Sequence, residues 1–366
     1  MEIIDKTKKY MQETGARFGR NATTFMRTAP VVVLIACAIL MIVSVICCIN
    51  IVRSRPERNV ASVWGQGSGV PYRHVAVYGH GGRAGEMTPA VYSDRGTSLS
   101  KTDIYNIRKS LQGIVDTSRG VRRKVSDKPI DPEGWEDAFC SFVKADMQCD
   151  HDSFNVSSDA FVYAVSGNFK VFHPYEYMSG GFLPVESVDK YQIVLNDNLA
   201  WKFFSSYDII GERITMWDHE FTIIGVVREH DDNAMRAYVY YDCLEEYCVK
   251  TDENAQPAVL CYEALLPEQI SGSSVIDLRN TIPGYDMSSP SFYVVSITDR
   301  FGLSKVWDHM MPAGEMSAFL QGYELPFWEV SAQKAYSDMF VWMIVFVFSA
   351  IVAVITAIVK GSVKGS

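Results

Sequence analysis

The stretch VVVLIACAILMIVSVICCINIV (Val31–Val52) and its counterpart FVWMIVFVFSAIVAVITAIV (Phe340–Val359) decide how this chain is built. Neither holds a Lys, Arg, Asp or Glu, and each reaches the ~20 apolar residues that a helix needs to cross the hydrocarbon of a bilayer. An apolar core helix of a water-soluble domain is usually shorter and bounded by turn residues. Between the two stretches lie residues 53–339, mostly polar. The expected architecture is a large domain tethered to a membrane at both of its ends. A signal peptide is the competing reading of the first stretch, but the apolar run is long for one and no small-residue cleavage site follows it.

Lys and Arg near a span resist translocation and so orient it. Lys6, Lys8, Lys9, Arg17, Arg20 and Arg27 precede the first stretch, and Lys360 and Lys364 follow the second. Arg53, Arg55 and Arg58 pull the other way. Two spans place both termini on one side, and the balance of basic residues predicts that side to be the cytoplasm. Residues 53–339 are then periplasmic or extracellular, and the membrane is a cell inner (plasma) membrane. Of the formal charge of −9, the two basic ends leave −14 for residues 53–339. So acidic a domain argues against nucleic acid as a partner and against adsorption to anionic lipid.

Cys37, Cys47 and Cys48 lie in the first stretch, and Cys140, Cys149, Cys243, Cys248 and Cys261 in the domain. None forms a C-x-x-C pair. An oxidising compartment would allow one or two disulfides, with Cys140–Cys149 and Cys243–Cys248 nearest in sequence and at least one thiol left over.

Further from the spans, residues 1–30 read as a cytoplasmic amphipathic helix in the membrane interface. Ile3, Ile4, Tyr10, Met11, Phe18, Phe25 and Met26 recur at about seven-residue spacing among basic residues; a disordered basic leader is the alternative, because Gly15 and Gly19 weaken a helix. Residues 53–100 are rich in Gly, Arg, Ser and Pro, with a strand at His74–Tyr78. Ser100-Lys101-Thr102-Asp103 opens a helix that carries Ile104, Ile107, Leu111 and Val115 on one face. Asp127–Gly134 is expected to be a loop and Trp135–Val143 a short helix. Strands are predicted at Phe161–Val165, Tyr191–Leu195, Ala237–Tyr241, Val259–Ala264 and Phe292–Ile297, and Ser179-Gly180-Gly181 marks a turn. Asn196 is a fitting N-cap for a helix over Asp197–Phe204. Arg213–Trp217 and Phe221–Val227 pair as a hairpin whose turn, unusually, lacks Gly.

From Phe327 to Lys360 there is neither Gly nor Pro, with Pro326 before and Gly361 after. One helix of ~50 Å is expected to run from the domain into the membrane, with Gln333, Lys334, Ser337 and Asp338 as a polar stalk; a break near Asp338 is the alternative. The expected division is 1–30 interfacial helix, 31–52 span, 53–339 outer domain with a stalk from about 327, 340–359 span and 360–366 cytoplasmic tail.

No catalytic, cofactor-binding or metal-ligating residue emerges. Gly79-His80-Gly81-Gly82-Arg83-Ala84-Gly85 lacks the Lys-Ser/Thr of a phosphate loop. Cys149-Asp150-His151-Asp152 and Glu229-His230-Asp231-Asp232 gather ligand-type side chains without metal-site spacing. Gly67-Ser68-Gly69 is no nucleophile elbow. The chain is expected not to be an enzyme and to need no cofactor. Trp328, Tyr336 and Trp342 suit membrane-interface anchors.

Several motifs in order carry a resemblance: Met178-Ser179-Gly180-Gly181-Phe182-Leu183, Tyr191-Gln192-Ile193-Val194-Leu195-Asn196, Leu199-Ala200-Trp201-Lys202-Phe203-Phe204, Ile209-Ile210-Gly211-Glu212-Arg213-Ile214 and Phe221-Thr222-Ile223-Ile224-Gly225-Val226-Val227. Together they resemble the MacB-type periplasmic core domain of FtsX-like ABC transporter permeases, with Gly181 in place of an Arg and Ser205 where Gly is usual. Thr298-Asp299-Arg300-Phe301 is similar to the strand end before that domain's last helical region, and Leu325-Pro326-Phe327-Trp328 to the entry into its second membrane helix. The resemblance implies an α+β extracytoplasmic domain between two transmembrane helices. It further implies a permease-like subunit that couples its outer domain to the membrane, for transport or mechanotransmission. The implied partners are a lipid bilayer, other subunits in a homo- or hetero-oligomer, a separate ABC ATPase and an extracytoplasmic protein or peptide client. The family pattern continues with two more membrane helices, whereas this sequence ends seven residues after Val359; an additional permease subunit would have to supply them. The alternative is a two-span assembly, sensing or structural protein whose outer domain binds envelope partners without an ATPase.

Overall fold

A computed structural model describes residues 29–66, 70–79, 87, 89–92, 98–119, 122–123, 134–151, 154–229, 233–268, 270–285, 292–311 and 325–365. The chain divides into two compact units, one comprising Met1–Ser54 with Lys334–Ser366 and the other Arg55–Gln333. The expected interfacial helix over residues 1–30 falls almost wholly outside the described residues, as do Gly67-Ser68-Gly69, most of Gly79–Gly85 and the expected loop before Gly134.

Helix α1 (Ala29–Arg53) carries the first apolar stretch. Its Pro30 lies in the first turn, where a missing N–H costs nothing. The second stretch lies in the last helix, which extends over Phe327–Gly365 without a break. Both are long and apolar enough to cross a membrane, and their side chains stand in the open, Phe348 at 66% exposure and Ile42 at 60%. A core helix would bury them.

The unit Arg55–Gln333 mixes α and β. After a 3-10 turn at Pro56–Asn59 and α2 (Val60–Trp64) come β1 (Tyr72–Tyr78), α3 (Lys101–Arg119), β2 (Arg122–Arg123), β3 (Gly134–His151), β4 (Phe154–Gly167) and α4 (Phe169–Phe172). Next are β5 (Glu176–Gly180), β6 (Gln192–Asn196), α5 (Asp197–Phe204), β7 (Arg213–Met216), β8 (His219–Arg228), β9 (Arg236–Tyr240) and α6 (Tyr241–Thr251). The series closes with β10 (Cys261–Pro267), α7 (Ser273–Thr281), β11 (Tyr293–Ser296), α8 (Leu303–Met310) and α9 (Phe327–Gly365). The strands lie in the order β11-β1-β10-β3-β4-β9-β6-β8-β5. β7 bridges β8 to the far end of β3, where Gln148 faces Thr215. Strands β3, β4, β9, β6, β8 and β7 therefore form a closed ring, while β10, β1 and β11 extend from β3 as an open flank. β3 and β4 stay in register from Ala138–Gly167 to His151–Phe154, and β3, which also pairs with β10, belongs to both parts.

Several elements arise directly from local chemistry. In α3, Ile104, Ile107, Leu111 and Val115 are wholly buried, as their spacing of three and four requires. Its start is a reciprocal cap: the Asp103 N–H donates to Ser100 Oγ at 3.1 Å and the Ser100 N–H to Asp103 Oδ2 at 2.8 Å. Asn196 caps α5 by accepting from the Leu199 N–H at 3.1 Å, and that helix ends at Ser205 in the left-handed conformation, φ 50°. The β7–β8 hairpin turns through Trp217 and Asp218, both at positive φ (52° and 60°). A two-residue turn of that hand needs positive φ at both positions. Here a tryptophan takes the place of the customary Asn or Gly, and its ring stacks on Tyr247 at 5.0 Å.

Two expectations are corrected. Trp135–Val143 is not a helix but the first half of β3. Every residue from Gly134 to Val143 is buried, so the period-2 alternation of a half-exposed strand is missing there. It appears only in the second half, with Ala145, Met147 and Cys149 buried and Asp146 and Gln148 exposed. The neighbouring cysteines are not partners either. Cys140 and Cys149 are nine residues apart along one strand, about 30 Å, and Cys243 and Cys248 point to different faces of α6.

Candidate functional site

The foot of α9 is where the unit Arg55–Gln333 concentrates buried charge. Pro326 precedes the helix, and its carbonyl accepts from the N–H groups of Glu329 and Val330, both at 3.0 Å. Glu329 in the first turn is wholly buried. Arg300, which follows β11, grips it bidentately: Nη1 to Oε2 at 2.7 Å and Nη2 to Oε1 at 2.6 Å. The Tyr78 hydroxyl, at the end of β1, donates to Oε2 at 3.2 Å, and Gln333 Nε2, one turn on, donates to Oε1 at 2.7 Å. Gln333 also meets His309 of α8, whose Nε2 lies 2.7 Å from its Oε1, and the Tyr293 hydroxyl of β11 at 3.3 Å. Burial, and then the Glu329 carboxylate, hold the Tyr78 phenol well above its usual range, so it remains a donor. Arg55, near the other chain entry to this unit, donates to the Ser331 carbonyl and hydroxyl, both at 2.8 Å.

Two aromatic side chains complete the foot. Trp328 is a buried core residue and not an interface anchor; its ring centroid lies 4.3 Å from that of His173, 5.4 Å from Tyr163 and 5.8 Å from Phe169. The Phe327 ring carries the Arg236 guanidinium at 3.9 Å, close enough for a cation–π attraction.

Behind each ring lies a further buried polar group. His173 Nε2 and His74 Nε2 converge on the Glu263 carboxylate at 2.7 and 3.1 Å. Full burial favours the neutral acid, yet the two imidazoles outweigh it and hold the carboxyl down at about 2. Arg236 Nη1 donates to Glu229 Oε2 at 2.8 Å, the Tyr238 hydroxyl donates to Oε1, and Asn196 Nδ2 approaches Oε2 at 3.2 Å. Burial raises the Glu229 carboxyl in spite of Arg236. Asn196 Oδ1 also accepts from the Arg236 N–H at 3.0 Å, so the cap of α5 and the cation beneath Phe327 share one network.

These groups are enclosed and occupied with one another, which suits anchoring rather than chemistry on a substrate. Among the described residues no group of three His, Cys, Asp or Glu could hold a metal ion. Of the ligand-type clusters in the sequence, Glu229 belongs to the buried network, whereas His230, Asp231, Asp232 and Asp152 lie outside the described residues. A cleft of about 240 Å³ opens beside Phe169, Phe182, Lys190 and Tyr240, and its Lys190 is engaged by Glu246 at 2.7 Å. Sequence reasoning did not find the foot, because its members come from β1, β11, α8 and α9 and no local spacing joins them. The quoted motifs around Arg300 and Phe327-Trp328 marked two of its sides.

No family model and no curated protein sequence matches the chain. Among solved structures it is similar to the periplasmic region of MacB from Actinobacillus actinomycetemcomitans, with 11% identity and a TM-score of 0.40 over 63% of this chain and 91% of that one. It is similar also to the extracellular domain of the noncanonic ABC-type transporter YknZ from Gram-positive bacteria, with 11% identity and a TM-score of 0.39 over 61% and 99%. A domain of a putative permease protein from Porphyromonas gingivalis follows, with 12% identity and a TM-score of 0.33 over 66% and 90%. These are distant likenesses, from which no activity or partner follows.

Proposed function

We propose that this chain is a non-catalytic membrane subunit of the ABC-permease-like, MacB/FtsX type, whose outer domain is mechanically coupled to the bilayer through α9. The observation that carries the reading is the construction of that helix. Its first two turns are locked into the domain by Arg300–Glu329, Gln333 and the buried Trp328, and the same unbroken helix includes the apolar run Phe340–Val359. In this reading a displacement of α9 is passed to the β1–β11 flank through the contacts of Glu329 and Gln333. Both termini are cytoplasmic in this reading, and the domain lies outside the membrane. The chain works as part of an oligomer, with a separate ATPase subunit and an extracytoplasmic protein or peptide client.

Affinity purification of the full chain from its native membrane in several detergents tests the partner. Recovery of an ABC ATPase in each supports the reading. Its consistent absence, with other envelope proteins recovered instead, favours a two-span assembly or sensing protein. Coupling is tested by inserting two glycines after Gln333. Unchanged function of that variant, at normal abundance, refutes transmission through α9.

A further inference from the structure

The domain's five cysteines differ in what surrounds them. The Cys243 thiol donates to the Lys190 carbonyl at 3.1 Å and the Cys149 thiol approaches the Arg213 carbonyl at 3.8 Å. Cys248 lies on the same helix as Cys243, in an unsuitable direction. Cys140 and Cys261 stand apart from these. They are register partners on the adjacent antiparallel strands β3 and β10, and both are buried. Directly opposed residues of an antiparallel pair have Cα atoms ~4.5–5.5 Å apart, inside the ~4.4–6.8 Å that a disulfide spans. No other pair among the five sits on directly opposed strand positions.

We propose that Cys140 and Cys261 are the disulfide-forming pair of this domain, closing a cross-strand bond between β3 and β10 in an oxidising compartment. The proposal rests on the placement of the domain outside the membrane, since glutathione keeps cytosolic thiols reduced. Each thiol loses its proton and the two sulfurs together lose two electrons. A thiol–disulfide oxidant, such as a periplasmic dithiol oxidase or oxidised glutathione, accepts them by exchange through a mixed disulfide and leaves as two thiols. Because both side chains are enclosed in the finished fold, the exchange takes place during folding, before β10 closes over β3. The bond then clamps the β1–β10–β11 flank to the strand pair that forms the ring. This flank carries Tyr78 and Tyr293, two of the contacts at the foot of α9.

The test uses the full chain expressed in cells, with free thiols blocked by N-ethylmaleimide at lysis before proteolysis and mass spectrometry. The expected result is a cross-linked peptide joining Cys140 to Cys261, lost on reduction and absent from C140S and C261S, with Cys149, Cys243 and Cys248 alkylated. In parallel, V188C at a fully exposed site is treated in intact cells with a membrane-impermeant maleimide. Alkylated Cys140 and Cys261 in a protein whose V188C labels from outside overturn the pairing, as does a different disulfide. If V188C labels only after lysis, the outside placement fails instead. Refolding the purified chain in oxidised glutathione then decides: a Cys140–Cys261 link upholds the pairing, and its absence overturns it.

Discussion

Replacing Glu329 with alanine removes the acceptor around which the foot of α9 is assembled. Arg300 keeps only 4% of its side-chain surface exposed and Glu329 none, so the variant leaves a guanidinium enclosed without its carboxylate. Breaking a buried pair from one side costs about 3–5 kcal/mol, because the surviving charge is still desolvated. The donors on Tyr78 and Gln333 lose a partner as well, at about 1 kcal/mol each, partly recovered if water enters the space. Taking about 4 kcal/mol as the net, and about 2 °C per kcal/mol for a domain of this size, Tm falls by about 8 °C. The assay is thermal unfolding of the detergent-solubilised full chain followed by tryptophan emission, to which the adjacent Trp328 contributes. The control is the paired exchange R300M with E329L, which removes both charges and is expected to recover more than half of the loss. A shift under about 2 °C in E329A, or a double variant whose losses simply add, would show that the pair does not hold the helix.

Glu263 gives a pH prediction. Its folded value of about 2 lies below the ordinary 4.5, so its contribution is fully present above pH 4.5 and is lost as pH falls through about 2. E263Q should be less stable than the wild type above pH 4.5, by about 3 kcal/mol, with the gap closing toward pH 2 in acid-unfolding curves. N196A removes the cap of α5 and orphans the buried Arg236 N–H; a loss of about 3 kcal/mol is expected in denaturant melts, more than an exposed cap would show. In G225A the new Cβ would meet the Gly181 carbonyl oxygen at 1.9 Å, forcing β5 from β8, so a loss of about 3 kcal/mol or failure to accumulate is expected. D218G relieves a left-handed aspartate at φ 60° and should raise stability by about 0.5–1 kcal/mol, read as a higher Tm; a lower Tm would contradict the turn geometry.

Where the chain's own neighbours decide the conformation, the sequence was readable. The α3 face, the Asn196 cap, the β7–β8 pairing and the unbroken α9 all rest on spacings of four residues or fewer, or on the lack of a helix breaker. Reading stopped where distant partners decide. Gly134–Val143 is buried throughout, so its apolar pattern has no period to detect. The foot of α9 was hidden for the same reason: Arg300 and Glu329 are 29 residues apart and Tyr78 is 251 from Glu329. Nearness in sequence carries no information on cysteine pairing here, since the opposed residues Cys140 and Cys261 stand 121 positions apart (261 − 140).

The shared strand β3 has a consequence for how this domain comes apart. Strand β3 is paired over fourteen positions with β4 of the ring and along its first half with β10 of the flank, which leaves no seam along which one portion can melt while the other survives. Amide exchange should therefore be slowest along the central residues of β3 and β4, in both portions alike, and loss of the ring and loss of the flank should coincide in a single cooperative step.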